Sequence, residues 1–283
     1  MLYYLMLIVA TVLFAFQMFF NQQFQRLRGN GLEASLTFTT YVHCVIFFAM
    51  LCINGFRMEW SWFSAGMALI RAVMDVTFGY VSIKALACAN LSVYSTFSML
   101  GGMLLPFIYG VAFASEELTL PKLLCCLLIS AALFLTVERG KHGGKAVFYY
   151  FCVFTLNGLY GVVTALHQKF TDLAVDSQSF SAMSSLFTVV IAIALSLILV
   201  RKFPLLRKRE VKFAGLFGVF CGIGNLLLLI ALLHVNASVQ YPIVTGGTMV
   251  MSTLICLLRR EKVSVREYLA TAIACGATVL IIL

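Results

Sequence analysis

Two ionisable residues stand inside an apolar run, and they are the first candidates for chemistry. Arg71 and Asp75 lie four apart within residues 61–83. On a helix that spacing puts both side chains on one face, close enough to pair. Ionisable groups in a membrane span are costly, so they serve a function or satisfy one another. Two readings follow. In one, the pair neutralises itself and locks its helix against a neighbour. In the other, Arg71 holds a substrate carboxylate and Asp75 is its counter-ion or proton site. An i,i+4 pair needs no ligand, so spacing alone leaves both open.

Other polar residues sit at similar depth. Asn157 and Tyr160 are three apart and flanked by Gly158 and Gly161, which permit close approach of a helix or a ligand. Asn225 follows Gly215, Gly218, Gly222 and Gly224, a small-residue stripe most simply read as a packing surface. Gln240, Tyr241 and Pro242 open another apolar run, and Tyr94, Ser95 and Thr96 hold the matching positions earlier in the chain. His43 and Gln17 lie alone in mid-run. For each, the structural reading is an interhelical hydrogen bond; the functional one is a substrate-binding group in a cavity. Glu116, Glu117 and Glu261 sit at loop edges, where a helix dipole favours acids.

Enzyme signatures are missing from the sequence: it contains no His-Glu-x-x-His, no Gly-x-Ser-x-Gly and no phosphate loop. The nine cysteines, at 44, 52, 88, 125, 126, 152, 221, 256 and 275, form no Cys-x-x-Cys and no metal-ligand spacing. They read as small packing residues. No metal or bound cofactor is expected.

The elements that must position these groups follow from composition. Of 283 residues, 62% are hydrophobic and 11% charged, and mean hydropathy is +1.00. Ordinary soluble domains hold about 45–50% apolar and about 25% charged residues. Such a chain cannot be a soluble enzyme, a disordered chain or a disulfide-stapled domain. The apolar runs are continuous, which excludes a β-barrel. The fold class is an all-α polytopic membrane protein.

Ten spans are expected, at 2–20, 34–53, 61–83, 91–113, 118–137, 146–166, 179–200, 213–233, 238–258 and 265–283. Connections are short, and Met1–Tyr4 lacks the basic region of a signal peptide. The net charge of +9 comes from loops. Of the 20 Lys and Arg, only Arg57, Lys122 and Lys169 fall after even-numbered spans, and Arg71 lies within one. All the others follow odd-numbered spans. This bias puts the odd loops in the cytoplasm and both termini outside. No basic stretch carries the interleaved aromatics of a nucleic-acid platform.

Sliding the chain on itself by 146 residues gives two matches at one offset. Tyr3, Tyr4, Leu13, Gln22 and Phe24 fall on Tyr149, Tyr150, Leu159, Gln168 and Phe170. Ala85, Leu86, Asn90, Ser92, Val93 and Gly101 fall on Ala231, Leu232, Asn236, Ser238, Val239 and Gly247. Two halves, 1–140 and 141–283, with five spans each, must then run inverted in the membrane.

These patterns resemble the drug/metabolite transporter superfamily in its EamA-like branch. The first half carries Ala85-Leu86-Ala87-Cys88-Ala89-Asn90-Leu91-Ser92-Val93, running to Glu116-Glu117. The second carries Ala231-Leu232-Leu233-His234-Val235-Asn236-Ala237-Ser238-Val239, then Tyr241-Pro242-Ile243, Gly246-Gly247 and Arg260-Glu261-Lys262. The pattern covers the third to fifth helices of each half and supports a superfamily rather than a substrate. Ten-helix members are generally drawn with cytoplasmic termini, opposite to the charge bias here. The resemblance implies alternating access, with a cavity between helices one to four and six to nine and with helices five and ten outside it.

The expected function is secondary transport, outward, of a small amphipathic metabolite or drug across a bacterial inner or plasma membrane. One alternative is a small multidrug-resistance-like organic cation/proton antiporter, which needs a free membrane carboxylate. Another is a lipid flippase component or a non-transporting membrane scaffold. Expected partners are a small-molecule substrate and the lipid bilayer, with a homodimer left open and nucleic acid excluded. The charge bias makes a topology prediction. In a cysteine-free background, a cysteine beside Lys122 should react with an impermeant thiol reagent on whole cells, and one beside Lys208 should not. The opposite pattern would reverse the orientation.

Overall fold

Apolar runs of about 20 residues satisfy their backbone polar groups internally by forming helices. The computed structural model describes residues 2–29, 31–88, 91–135, 144–258, 260 and 264–282. Side chains are described except at 22, 83, 86–88, 91–95, 144–146 and 282. Tyr94, Asn90 and Glu261 therefore fall outside what is described at side-chain level. The described residues form ten α-helices: α1 Leu2–Arg28, α2 Leu32–Ile53, α3 Trp62–Cys88, α4 Leu91–Phe113 and α5 Leu120–Leu135, then α6 Gly144–Lys169, α7 Ser177–Leu195, α8 Lys208–Leu232, α9 Ala237–Leu258 and α10 Val265–Ile282. A π-helical turn, Ser196–Val200, extends α7. Each expected span has its helix, displaced by up to eight residues at an end.

Seven helices are long and apolar enough to cross a membrane by length and composition. Among the described residues the 16-residue α5, α10, and α3 with its Arg71 and Asp75, lie outside that set. Many large apolar side chains, such as Phe48, Leu127, Phe148, Phe151, Ile198 and Leu258, are exposed and suit contact with lipid. The chain is an integral multi-pass membrane protein.

Helix ends are set by local chemistry. Asp176 caps α7 by accepting from the Ser179 amide at 2.7 Å. Ser264 and Glu267 hold each other's backbone amides at the start of α10, a capping box. Glu116 departs from expectation: it stabilises α9 rather than α5. Its two carboxylate oxygens accept from the amides of Ala237 and Ser238, each at 2.9 Å. Pro242 lies in the second turn of α9, not its first.

Packing pairs the two halves. α1 packs on α8 and α9, and α6 on α3 and α4. α2 packs on α7 and α8, and α7 on α2 and α3. α4 meets α9, and α5 meets α10. Exchanging each helix with the one five places along reproduces these pairings. A separate apolar cluster joins α4, α5, α9 and α10 around Met103, Cys125, Ile129, Leu133, Met249 and Ala274. That cluster keeps α5 and α10 at the periphery. The buried Cys125 and Cys126 act there as packing residues.

Lipid gives helices no hydrophobic incentive to associate, so close backbone contact matters. α4 and α6 cross at Gly101 and Gly158. A Cβ at Gly101 would stand 2.0 Å from the Phe154 carbonyl oxygen. Gly101→Ala must therefore push the helices apart. We expect a loss of about 1–3 kcal/mol, as for overpacked cores, read as a lower midpoint of thermal unfolding in detergent. Gly215→Ala, where a Cβ meets nothing within 4 Å, should leave the midpoint unchanged.

Candidate functional site

The odd-numbered helix α3 runs from Trp62 at one end of the bundle to Cys88 at the other. Arg71 and Asp75 face a central cavity of about 340 Å³, walled by α1, α2, α3, α6, α7 and α8. Among the described residues, α4, α5, α9 and α10 contribute no lining. The cavity is thus narrower in origin than the eight-helix lining the resemblance implies. It extends from Arg71 and Tyr160 in mid-bundle to Gly29 and the exposed Gly31 at the α1–α2 connection. That end carries Arg26, Arg28 and the basic residues 201–212.

Arg71 is 4% exposed. Spacing suggested Asp75 as its partner, but the two form no ion pair. Arg71 Nη2 donates instead to the Tyr160 hydroxyl on α6. Its guanidinium also lies 4.4 Å from the Tyr160 ring centroid and 5.4 Å from that of Phe180 on α7. Nε and Nη1 have no partner. A buried donor left unsatisfied is costly and awaits an acceptor. Asp75 lies one turn nearer the mouth. Its Oδ2 makes no hydrogen bond and stands 3.9 Å from His43 Nε2 on α2. His43 Nδ1 approaches the Ser185 hydroxyl on α7 at 3.4 Å.

Seven of the ten sequence candidates line the cavity: Gln17, His43, Arg71, Asp75, Asn157, Tyr160 and Asn225. Gln17 Oε1 is buried there without a partner. Asn157 donates to the Ser98 carbonyl of α4 at 2.7 Å, and Asn225 to the Cys221 carbonyl of its own helix at 2.9 Å. Both amides keep their carbonyl oxygens free for other partners. Gln240 and Tyr241 lie elsewhere. Gln240 donates to the Leu228 carbonyl at 2.9 Å and Tyr241 to the Gly161 carbonyl at 3.0 Å, so both tie α9 to neighbours. The Tyr94 side chain is outside the described residues. Sequence reasoning missed Ser181, Ser184 and Ser185, a hydroxyl row on α7 facing Arg71 across the cavity. Their i,i+3 and i,i+4 spacing was the available signal.

The two ends of the bundle differ. Away from the mouth, the α2–α3 and α6–α7 connections are bonded together. Ser179 Oγ accepts from the Glu59 amide at 3.0 Å and from Asn54 Nδ2 at 3.2 Å. Ser61 Oγ donates to the Leu173 carbonyl at 2.6 Å. Ser64 Oγ meets His167 Nε2 at 2.9 Å and accepts from the Val175 amide at 3.0 Å. His167 stacks on Phe180 with ring centroids 3.6 Å apart and lies parallel to Phe63 at 5.9 Å. Tyr160, Arg71, Phe180, His167 and Phe63 thus form one stack that plugs this end. At the mouth, Arg28 binds Glu210 on α8 at 2.8 Å and Glu33 on α2 at 3.0 Å. That rim joins helices without filling the space between them. The lone acid, imidazole and guanidinium, with hydroxyls and amides, can bind a small polar group and a proton. Among the described residues no cluster of His, Cys, Asp or Glu is suited to a metal.

Comparisons agree with this architecture. Residues 147–283 match the model of the EamA-like transporter family. One solved structure, described only as a crystal structure of a protein, superposes with a TM-score of 0.75 at 16% identity, over 98% of this chain and 94% of that one. That likeness shows the fold alone. No curated protein matches the chain. The second half of this membrane protein is thus similar to the EamA-like transporter family.

The unequal ends make a prediction about access. In a cysteine-free background without ligand, Asn157→Cys should react with a small charged thiol reagent at least tenfold faster than Ser64→Cys. Equal rates would mean that the stacked end is open to water.

Proposed function

We propose that this chain is a secondary transporter working by alternating access, built from two inverted five-helix repeats at 1–140 and 141–283. It moves a small amphipathic metabolite or drug outward. The repeated helix pairings support the inverted halves, and the shared offset of 146 residues supports their boundaries. The Lys/Arg bias supports a cytoplasmic mouth, so the conformation is one that loads from inside. Export follows when the rim at Arg28 closes and the Phe180–His167 stack parts.

The observation that carries this reading is Arg71. It is a buried cation on a cavity wall with two unsatisfied nitrogens and no acid paired to it. Arg71 then receives the substrate's anionic group, and Gln17, Asn157, Asn225 and the α7 hydroxyls accept or donate around it. A scaffold protein has no use for such a cavity. The cation/proton antiporter keeps one argument in its favour, because Asp75 is not tied up by Arg71. Against it, Arg71 repels any cation that Asp75 would attract.

The test is a thermal-shift screen in detergent against carboxylates, amino acids, nucleosides, organic cations and lipid head groups. A ligand at 100 times its dissociation constant should stabilise the fold by about 2.7 kcal/mol. Arg71→Gln should abolish the shift while the unliganded protein stays folded. A shift caused only by cations and kept in Arg71→Gln would move the assignment to the antiporter.

A further inference from the structure

We propose that the cavity carries an amphipathic monocarboxylate together with one proton, the anion on Arg71 and the proton on the Asp75–His43 couple. This rests on Arg71 as the anion site and adds the ligand class and the coupling.

The argument is charge balance in a place where net charge is expensive. The ionisable groups facing Asp75 are His43 on α2, Arg71 on its own helix, Tyr160 on α6 and Cys221 on α8. Only hydroxyls face it from α7: Ser181, Ser184 and Ser185. With Arg71 charged, Asp75 ionised and the others neutral, the empty cavity carries no net charge. One carboxylate on Arg71 makes it negative. One proton on Asp75, or shared with His43, restores neutrality. The couple is placed to take that proton. Asp75 Oδ2 lacks a hydrogen-bond donor, and His43 Nε2 is 3.9 Å away. A small side-chain shift closes that gap. His43 is anchored at its other nitrogen by Ser185 on α7, so the couple touches α2, α3 and α7.

Geometry along α3 gives the order of events. A ligand coming from the mouth passes Asp75 before it reaches Arg71. An unaccompanied anion meets a like charge first; a proton on Asp75 removes that barrier. The remaining wall selects the body of the ligand. Phe14, Phe24, Phe38, Phe78 and Phe217 line the cavity, and about 340 Å³ suits one small aromatic or branched group. Among the described residues Arg71 is the one buried arginine, which matches one carboxylate. Nothing is consumed in the cycle. RCOO⁻ and H⁺ bind on one side and leave on the other, so each turnover moves no net charge. Export then runs down the gradient of the acid itself.

The test uses the full chain in liposomes containing a pH dye, with phenylpyruvate as probe because its strong acidity keeps unassisted leakage low. An inward gradient should acidify the lumen by one proton per phenylpyruvate. The rate should change less than twofold under a potassium–valinomycin potential. Asp75→Asn should cut net uptake at least tenfold more than exchange of internal for external phenylpyruvate, and Asp75→Glu should restore the ratio. If Asp75→Asn does not fold, the same ratio is read in His43→Gln. Phenylpyruvate moving without a pH change, or at a rate that follows the potential, would overturn the proposal. So would exchange of phenylalanine, its zwitterionic analogue, without exchange of phenylpyruvate. Failure to exchange any solute of the thermal-shift panel would instead bring down the carrier reading on which this stands.

Discussion

A guanidinium inside a bilayer sets the terms for everything around it. Arg71 cannot shed its charge, and a charge at this depth is expensive. The fold answers with three helices. α3 supplies the group, α6 supplies the Tyr160 hydroxyl and ring, and α7 supplies the Phe180 face. These contacts satisfy part of the cation and leave two nitrogens unpaired. A residue meant only to pin helices would be fully satisfied, because each orphaned donor subtracts from stability. Partial satisfaction is what the proposed anion site rests on.

The same residue divides the cavity into unequal ends. Beyond Arg71 the stack continues through Phe180, His167 and Phe63, and hydrogen bonds between connections seal it. Toward the mouth the lining includes the polar side chains of Ser35, Thr39, Asn21 and Gln25. Both closures draw on both halves of the chain. The plug takes Phe63 from α3 and Phe180 from α7; the rim takes Arg28 from α1 and Glu210 from α8. Each end of the cavity is therefore bounded by residues of both halves. The outer helices α5 and α10 pack with α4 and α9, in a cluster that shares no wall with the cavity.

The helices were legible in the sequence because a bilayer leaves few choices: long apolar runs separated by charged loops must be spans. Even α3 was placed, although its charges weaken its hydropathy. Seven cavity residues were legible for a related reason, since polar groups in such runs are rare enough to notice. What the sequence could not fix was direction. Arg71 and Asp75 share a face, yet the arginine turns away to Tyr160, a partner 89 residues distant. Gln240 and Tyr241 looked as promising as Gln17 and Tyr160, but the Leu228 and Gly161 carbonyls of neighbouring helices took their hydrogen bonds. The α7 serines were overlooked because a membrane helix often satisfies serine on its own backbone. Only tertiary packing shows that this row faces the cavity.

The separation of Arg71 from Asp75 bears most on what such a cavity can accept. A closed ion pair would leave neither group available, and the cavity would then discriminate by shape alone. Held apart, the two present opposite charges on one wall, each within the other's field. A simple cation must sit beside Asp75 with Arg71 one turn away, and the arginine's field opposes it at short range in a low-dielectric space. An anion meets the reverse arrangement, attracted at the inner position and opposed at the outer. The two cases are not equivalent, because the carboxylate can take up a proton while the guanidinium cannot lose one. Only the opposition from Asp75 can be switched off. That asymmetry in proton chemistry, with His43 standing beside the acid, is what the proposed anion site rests on.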